Sequence, residues 1–292
     1  MFNAASPAQL AEALARHGVT LKKSLGQNFL IDENILKKIA AVSGAAEGEA
    51  CLEVGPGAGA LTQKLTDTGA RVVTVEIDGR LIPLLHEALE GKNAQVIHQD
   101  ILKADLQKIY DEHIKQPFIV AANLPYYITS PVIMALLESG LPIRQMTLMV
   151  QSEVADRMAA KKGKDYSPFS IAVQYHAQVH VAMRVSPGCF MPRPDVGSSV
   201  VVMEMLHEKP VQVEDEKAFF HLVHSCFAMR RKTAVNNIVA SSLLPDKETA
   251  EKILQACGFD PMVRAEDIPM AGFAGISREI TRHTGIKPGI NA

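Results

Sequence analysis

The residues best suited to chemistry are Asn123-Leu124-Pro125-Tyr126, which follow the apolar run Phe118-Ile119-Val120-Ala121-Ala122. That run reads as a buried strand, and a strand central to a parallel sheet delivers its last side chains into the crevice outside the sheet's carboxyl edge. The Asn123 amide oxygen is an uncharged acceptor and the Leu124 carbonyl is a second. Pro125 restricts the backbone between them and the ring of Tyr126. Two acceptors beside an aromatic plate suit the exocyclic amino group of a flat base. Taken alone, the tetrapeptide is equally a strand that ends in an Asn-Leu-Pro turn, so its surroundings must decide.

Three upstream elements would position such a site. Ala50-Cys51-Leu52-Glu53-Val54 reads as a strand, Gly55-Pro56-Gly57-Ala58-Gly59 as a glycine turn, and Ala60 to Leu65 as the helix that follows. This is the nucleotide-binding start of a doubly wound α/β sheet, in which glycines let a ligand approach the backbone. Arg71 to Glu76 forms a second strand ending in a carboxylate placed to accept both ribose hydroxyls of an adenosine. A helix follows over Asp78 to Leu89. Ala94 to Asp100 forms a third strand, and Asp100 at its end is placed to accept from an adenine amino group. Either acid alone is equally a helix cap. Together with Asn123, and with no basic residue in the glycine turn to offset a pyrophosphate, they fit S-adenosylmethionine better than a nicotinamide cofactor.

The chain of 292 residues exceeds one average domain of ~100–200 residues. A boundary is expected near the linker His207 to Val213, with residues 1–207 as the cofactor-binding domain and 208–292 as a small all-helical domain. The first domain opens with a helix over Pro7 to His17. A polar loop through Gln27 and Asn28 follows, either a lid over a ligand or an ordinary connection, and then a helix capped by Asp32. Beyond Asn123 the pattern gives a helix to Ser139, a strand over Gln145 to Val150, and helices over Glu153 to Ala160 and Phe169 to Tyr175. Edge strands are expected over Gln178 to Val185 and Ser199 to Leu206. Between them a proline-braced loop presents Phe190, either to face Tyr126 across a base or to plug the core. Helices are expected over Asp215 to Met229, Lys232 to Ser242, Lys247 to Cys257 and Gly275 to His283.

Composition excludes several classes. With 47% hydrophobic and 21% charged residues, and no run near ~18 apolar residues, the chain reads as a soluble globular protein. The four cysteines are widely separated and show no paired ligand spacing, which points to reduced thiols, no zinc and a cytoplasmic location. His221 and His224 share a helix but have no further ligand set, so no metal is expected. A net charge of −2 argues against a protein that coats nucleic acid through overall charge. Lys22-Lys23, Lys161-Lys162 with Lys164, and Arg230-Arg231-Lys232 are nevertheless basic groups that a fold can bring to one face.

Assembled, these motifs resemble the ribosomal RNA adenine N6-dimethyltransferases, most closely the small-subunit enzymes of the KsgA/RsmA type. The resemblance covers nearly the whole chain and rests on Gly26-Gln27-Asn28-Phe29-Leu30, Glu53 to Gly59, Glu76, Asp100, Asn123 to Tyr126, Phe190-Met191-Pro192-Arg193-Pro194 and Arg230-Arg231-Lys232-Thr233. It implies a Rossmann-like class I methyltransferase sheet and S-adenosylmethionine contact by Asn28, Leu30, Gly55, Glu76, Asp100 and Asn123. Catalysis would fall to Asn123, Leu124, Tyr126 and Phe190. The implied product is a pair of adjacent N6,N6-dimethyladenosines in a hairpin near the 3′ end of small-subunit RNA, and the implied partner is the small ribosomal subunit, met by a monomer. Gly197 departs from the family, which usually carries an aspartate there. The alternatives are a resistance-type enzyme acting on large-subunit RNA and an assembly factor whose binding role outweighs catalysis.

Overall fold

The computed structural model describes residues 2–20 and 27–284. Lys22, Lys23 and Gly26, named above, lie outside the described residues. Two compact units are present, one from Met1–Ala155 with Ala177–Met205 and one from Asp156–His176 with Leu206–Ala292.

Apolar, β-branched runs make the centre of the first unit. β1 (Phe29–Leu30), β2 (Ala50–Val54), β3 (Arg71–Glu76), β4 (Ala94–His98), β5 (Phe118–Asn123), β6 (Ile143–Gln151), β7 (Ala177–Val185), β8 (Phe190–Met191) and β9 (Ser198–Met205) appear in chain order. Seven of them form one sheet in the order β4-β3-β2-β5-β6-β9-β7. The first five of that order run parallel, and β9 pairs antiparallel with both β6 and β7. β2 is buried at every position, as a strand covered on both faces must be. From β2 the chain moves outward to β3 and β4, then returns to place β5 on the other side of β2. That reversal opens a crevice at the carboxyl ends of β2 and β5.

One expected edge strand is not at an edge. Ser198 to Met205 lies between two neighbours, and its first six residues are all buried. Only β7, with its alternating burial, closes that side of the sheet. β1 and β8 form a separate antiparallel ribbon that pairs Leu30 with Phe190 and Phe29 with Met191.

The helices of this unit are α1 (Pro7–Arg16), α2 (Glu33–Val42), α3 (Ala60–Asp67), α4 (Ile82–Ala88), the short α5 (Leu106–Ile109) and α6 (Thr129–Glu138). Asp32 caps α2 as expected, accepting from the amides of Asn34 and Ile35. A π-helical turn over Tyr110–Ile114 extends α5.

α7 (Ser152–Ala159) contains the unit boundary. The second unit holds α8 (Pro168–His176), α9 (Glu216–Cys226), α10 (Ala234–Ala240), α11 (Lys247–Ala256) and α12 (Met270–Thr284). Asp156–His176, expected in the first domain, belongs here because Tyr166, Ile171 and Tyr175 pack with Phe219, Leu222 and Phe273. The Tyr175 hydroxyl also donates to Glu216 at 2.9 Å. α12 starts at Met270 rather than Gly275. Gly272 serves packing there instead of breaking the helix, since an added Cβ would lie 2.5 Å from the Phe259 ring. Among the described residues no helix is long and apolar enough to cross a membrane.

Candidate functional site

β5 ends on Asn123 at the crevice, and the chain then turns through Pro125 into a single 3-10 turn, Tyr126–Ile128, before α6. The Asn123 Nδ2 donates to the Asn28 carbonyl at 3.1 Å. A carbonyl only accepts, so this contact orients the side-chain amide and leaves Oδ1 as its acceptor end. The Leu124 amide donates to the Met149 carbonyl at 3.2 Å, which ties the tetrapeptide's backbone to β6. The Tyr126 hydroxyl shares a hydrogen bond of 2.9 Å with the buried Ser198. A flat ring is thereby held by its tip.

Beneath these residues lies the glycine turn, where Gly55, Gly57 and Gly59 all have positive φ. Gly57 is the most constrained: a Cβ there would sit 2.8 Å from the Phe29 ring. With no side chain in the way, the Gly57 amide reaches Glu76 Oε2 at 3.1 Å, and the Asp78 amide reaches Glu76 Oε1 at 2.8 Å. The carboxylate keeps acceptor capacity beyond these amides for a ligand hydroxyl. Burial raises the Glu76 pKa, opposed by those amide hydrogen bonds.

Glu53 is more extreme. It is 1% exposed, its Oε2 has no hydrogen-bond partner among the described residues, and burial, helped by the charge of Glu76, pushes its pKa up to about 8.

These elements enclose a cavity of about 230 Å³ within the first unit. Every residue expected to contact the cofactor, namely Asn28, Leu30, Gly55, Glu76, Asp100 and Asn123, lines this one space. Leu124, Tyr126 and Phe190 line it too. Phe190 is 4% exposed and packed among Phe29, Leu30 and Met149, so it plugs the core and forms a wall of the cavity at once. Gly197 leaves room for a side chain, since a Cβ would find only ordinary contacts with Ser152 and Val185.

Sequence reasoning missed Ile77, Leu102 and Tyr127, which also line the cavity and are 47%, 41% and 55% exposed. The signal available was position: Ile77 directly follows the strand-end acid Glu76, and Leu102 follows Asp100 by two residues. Apolar side chains left in solvent beside hydrogen-bonding acids suit the faces of an aromatic ring.

Three carboxyl groups, Glu53, Glu76 and Asp100, line the cavity, and among the described residues no lysine or arginine does. That lining fits S-adenosylmethionine, which carries an ammonium and a sulfonium and no phosphate. It suits a dinucleotide less, because no lysine or arginine among the described lining residues would offset the charge of a pyrophosphate.

In the second unit Lys161, Lys162, Lys164, Arg230, Arg231 and Lys232 are all exposed. Two of the basic groups meet, because the Arg230 guanidinium donates to the Lys164 carbonyl. His221 and His224 are exposed on α9. Among the described residues no group of three or more His, Cys, Asp or Glu side chains is arranged to hold a metal ion.

The sequence profile described as "Ribosomal RNA adenine dimethylase" matches residues 18–282. The chain is 48% identical over 284 residues to the "Ribosomal RNA small subunit methyltransferase A" of Geobacillus thermodenitrificans (strain NG80-2), covering 94% of this chain and 96% of that protein. Among solved structures it is similar to a dimethyladenosine transferase from Plasmodium falciparum, with a TM-score of 0.72, 25% identity, and coverage of 88% of this chain and 98% of that one. The 23S rRNA methyltransferase ErmE shares the fold, with a TM-score of 0.68, 24% identity, and coverage of 87% and 99%.

Proposed function

The chain belongs to the ribosomal RNA adenine dimethylase family, and on that premise we propose that it transfers methyl groups from S-adenosylmethionine to N6 of two adjacent adenosines in a hairpin near the 3′ end of small-subunit RNA. The products are N6,N6-dimethyladenosines, made in the cytoplasm by a monomer during small-subunit biogenesis. The observation that carries this reading is the fixed amide of Asn123, its acceptor end at the rim of a cavity that also holds Glu76 and Asp100.

Glu76 would hold the ribose hydroxyls, Asp100 the adenine amino group, and Ile77 and Leu102 the faces of that ring. When bound, S-adenosylmethionine supplies an electrophilic methyl group on a leaving group that departs neutral. The accepting amine is a weak nucleophile because its lone pair is delocalised into the ring. Hydrogen bonds from N6 to Asn123 Oδ1 and the Leu124 carbonyl would localise that lone pair and aim it, so positioning supplies most of the acceleration. Removing the target base from its stack costs a few kcal/mol, which stacking on Tyr126, at about 1–3 kcal/mol per base, offsets; Phe190 would form the opposite wall. Asn123 is neutral, and a monomethylated amine with one hydrogen left can still donate to it. The helical unit, with its two joined basic groups, would engage RNA phosphates.

The large-subunit alternative rests on fold likeness alone, whereas the curated relatives bear the small-subunit name. The test is incubation with labelled S-adenosylmethionine and separate undermethylated small and large subunits, followed by mapping of modified adenosines. Label in two neighbouring adenosines of the small-subunit RNA is the expected result. Label confined to large subunits overturns the assignment.

A further inference from the structure

We propose that the Asp78–Arg80 ion pair is a positioning pair for methyl transfer, acting through Gln27 and the Asn28 carbonyl on the side-chain amide of Asn123. The proposal rests on the function given above and assigns work to residues that lie behind the cavity's reacting end.

The Asp78 side chain is 5% exposed and Arg80 33% exposed. Arg80 grips the carboxylate as a fork, with Nε to Oδ1 at 2.8 Å and Nη2 to Oδ2 at 2.5 Å. Such a bidentate grip fixes the plane of the carboxylate as well as its place. Oδ2 then accepts the Gln27 side-chain amide at 2.8 Å. The same guanidinium donates through Nη1 to the Thr20 carbonyl at 2.8 Å. Asp78 is also joined to the cofactor pocket, since its backbone amide donates to Glu76 Oε1 at 2.8 Å.

Asn28 is therefore held from both sides. Before it stands Gln27, anchored on Asp78, and after it Phe29–Leu30, paired with β8. Both anchors oppose rotation of the chain at Asn28, whose carbonyl lies 3.1 Å from Asn123 Nδ2. Without that acceptor the Asn123 amide is free to turn over and present its NH2 to the substrate amine, setting donor against donor. The ion pair thus keeps Asn123 facing the right way round.

The test is methyl transfer to undermethylated small subunits by the full chain at saturating S-adenosylmethionine, with thermal melting measured alongside. Gln27→Glu sets a like charge against Asp78, and kcat is expected to fall on the order of 10- to 100-fold with KM for the subunits unchanged. Arg80→Ala removes the fork at a residue that does not line the cavity and leaves Gln27 in place. It is expected to lower kcat by a similar factor with KM for the subunits unchanged, a split that a merely structural role would not produce. A parent-like kcat for Gln27→Glu or for Arg80→Ala overturns the proposal. Should Gln27→Glu melt early, Gln27→Ala decides: it removes the hydrogen bond without burying a charge, a roughly tenfold fall in kcat supports the proposal, and a parent-like kcat overturns it. A parent that transfers no methyl to small subunits sinks the function itself and this inference with it; an active parent with parent-like variants sinks only the inference.

Discussion

The cavity of the first unit and the loops of the second carry opposite charge for opposite reasons. Glu76 and Asp100 line the one, with the protonated Glu53 behind them and no lysine or arginine among the described lining residues, while Lys161, Lys162, Lys164, Arg230, Arg231 and Lys232 stand exposed on the other. The net charge of −2 averages over both and describes neither. A protein that meets a cationic small molecule and a polyanion needs both signs, and it keeps them on separate surfaces.

The sharpest way to break this division is at the reacting end of the cavity. Asn123→Ala is expected to lower methyl transfer at least on the order of 100-fold while RNA affinity stays, as measured by turnover and filter binding. Unchanged turnover removes Asn123 from the mechanism. Next in size is Gly57→Ala, which meets both the positive φ and the Phe29 ring. It should cost about 1–2 kcal/mol of stability and weaken S-adenosylmethionine binding in calorimetry; parent-like affinity shows that the cradle tolerates a methyl group. On the other surface, reversing Arg230, Arg231 and Lys232 to glutamate should weaken RNA binding and flatten its dependence on salt. The slope of log K against log salt should drop by about 0.7–0.9 for each phosphate no longer neutralised. Equal slopes for parent and variant exclude these residues from the RNA interface.

The smallest effect sharpens the description of the cavity itself. Folded Glu53 holds its proton to about pH 8, whereas the unfolded chain releases it near the ordinary 4.5. Stability is therefore full below pH 4.5 and is lost as pH rises toward 8. Glu53→Gln should remove that slope, melting above the parent at pH 8 and level with it near pH 4. Parallel melting profiles across that range show that Glu53 is ionised in the folded protein.

Much of this was legible in the chain. The apolar run to Asn123, the glycine turn and the two strand-end acids each belong to a short local pattern whose chemistry is set by nearest neighbours. What stayed hidden depends on partners far along the chain. The continuous run Val200-Val201-Val202-Met203 suits a strand covered on both faces, but which strands flank Ser198 to Met205 is set by residues far along the chain. Tyr166, Ile171 and Tyr175 carry no mark of the helices they join. The apolar walls Ile77 and Leu102 read as ordinary loop residues until the acids beside them are seen to share one space.

The ribbon that pairs Leu30 with Phe190 has a consequence for the order in which the protein is made. Its two strands lie 160 positions apart (190 − 30), so one wall of the cavity cannot close until most of the chain has emerged from the ribosome. At about 5–20 residues per second, a nascent chain spends roughly 8–32 seconds between making the two strands of the ribbon, with its binding space still open. Competence to hold a methyl donor thus arrives late in synthesis.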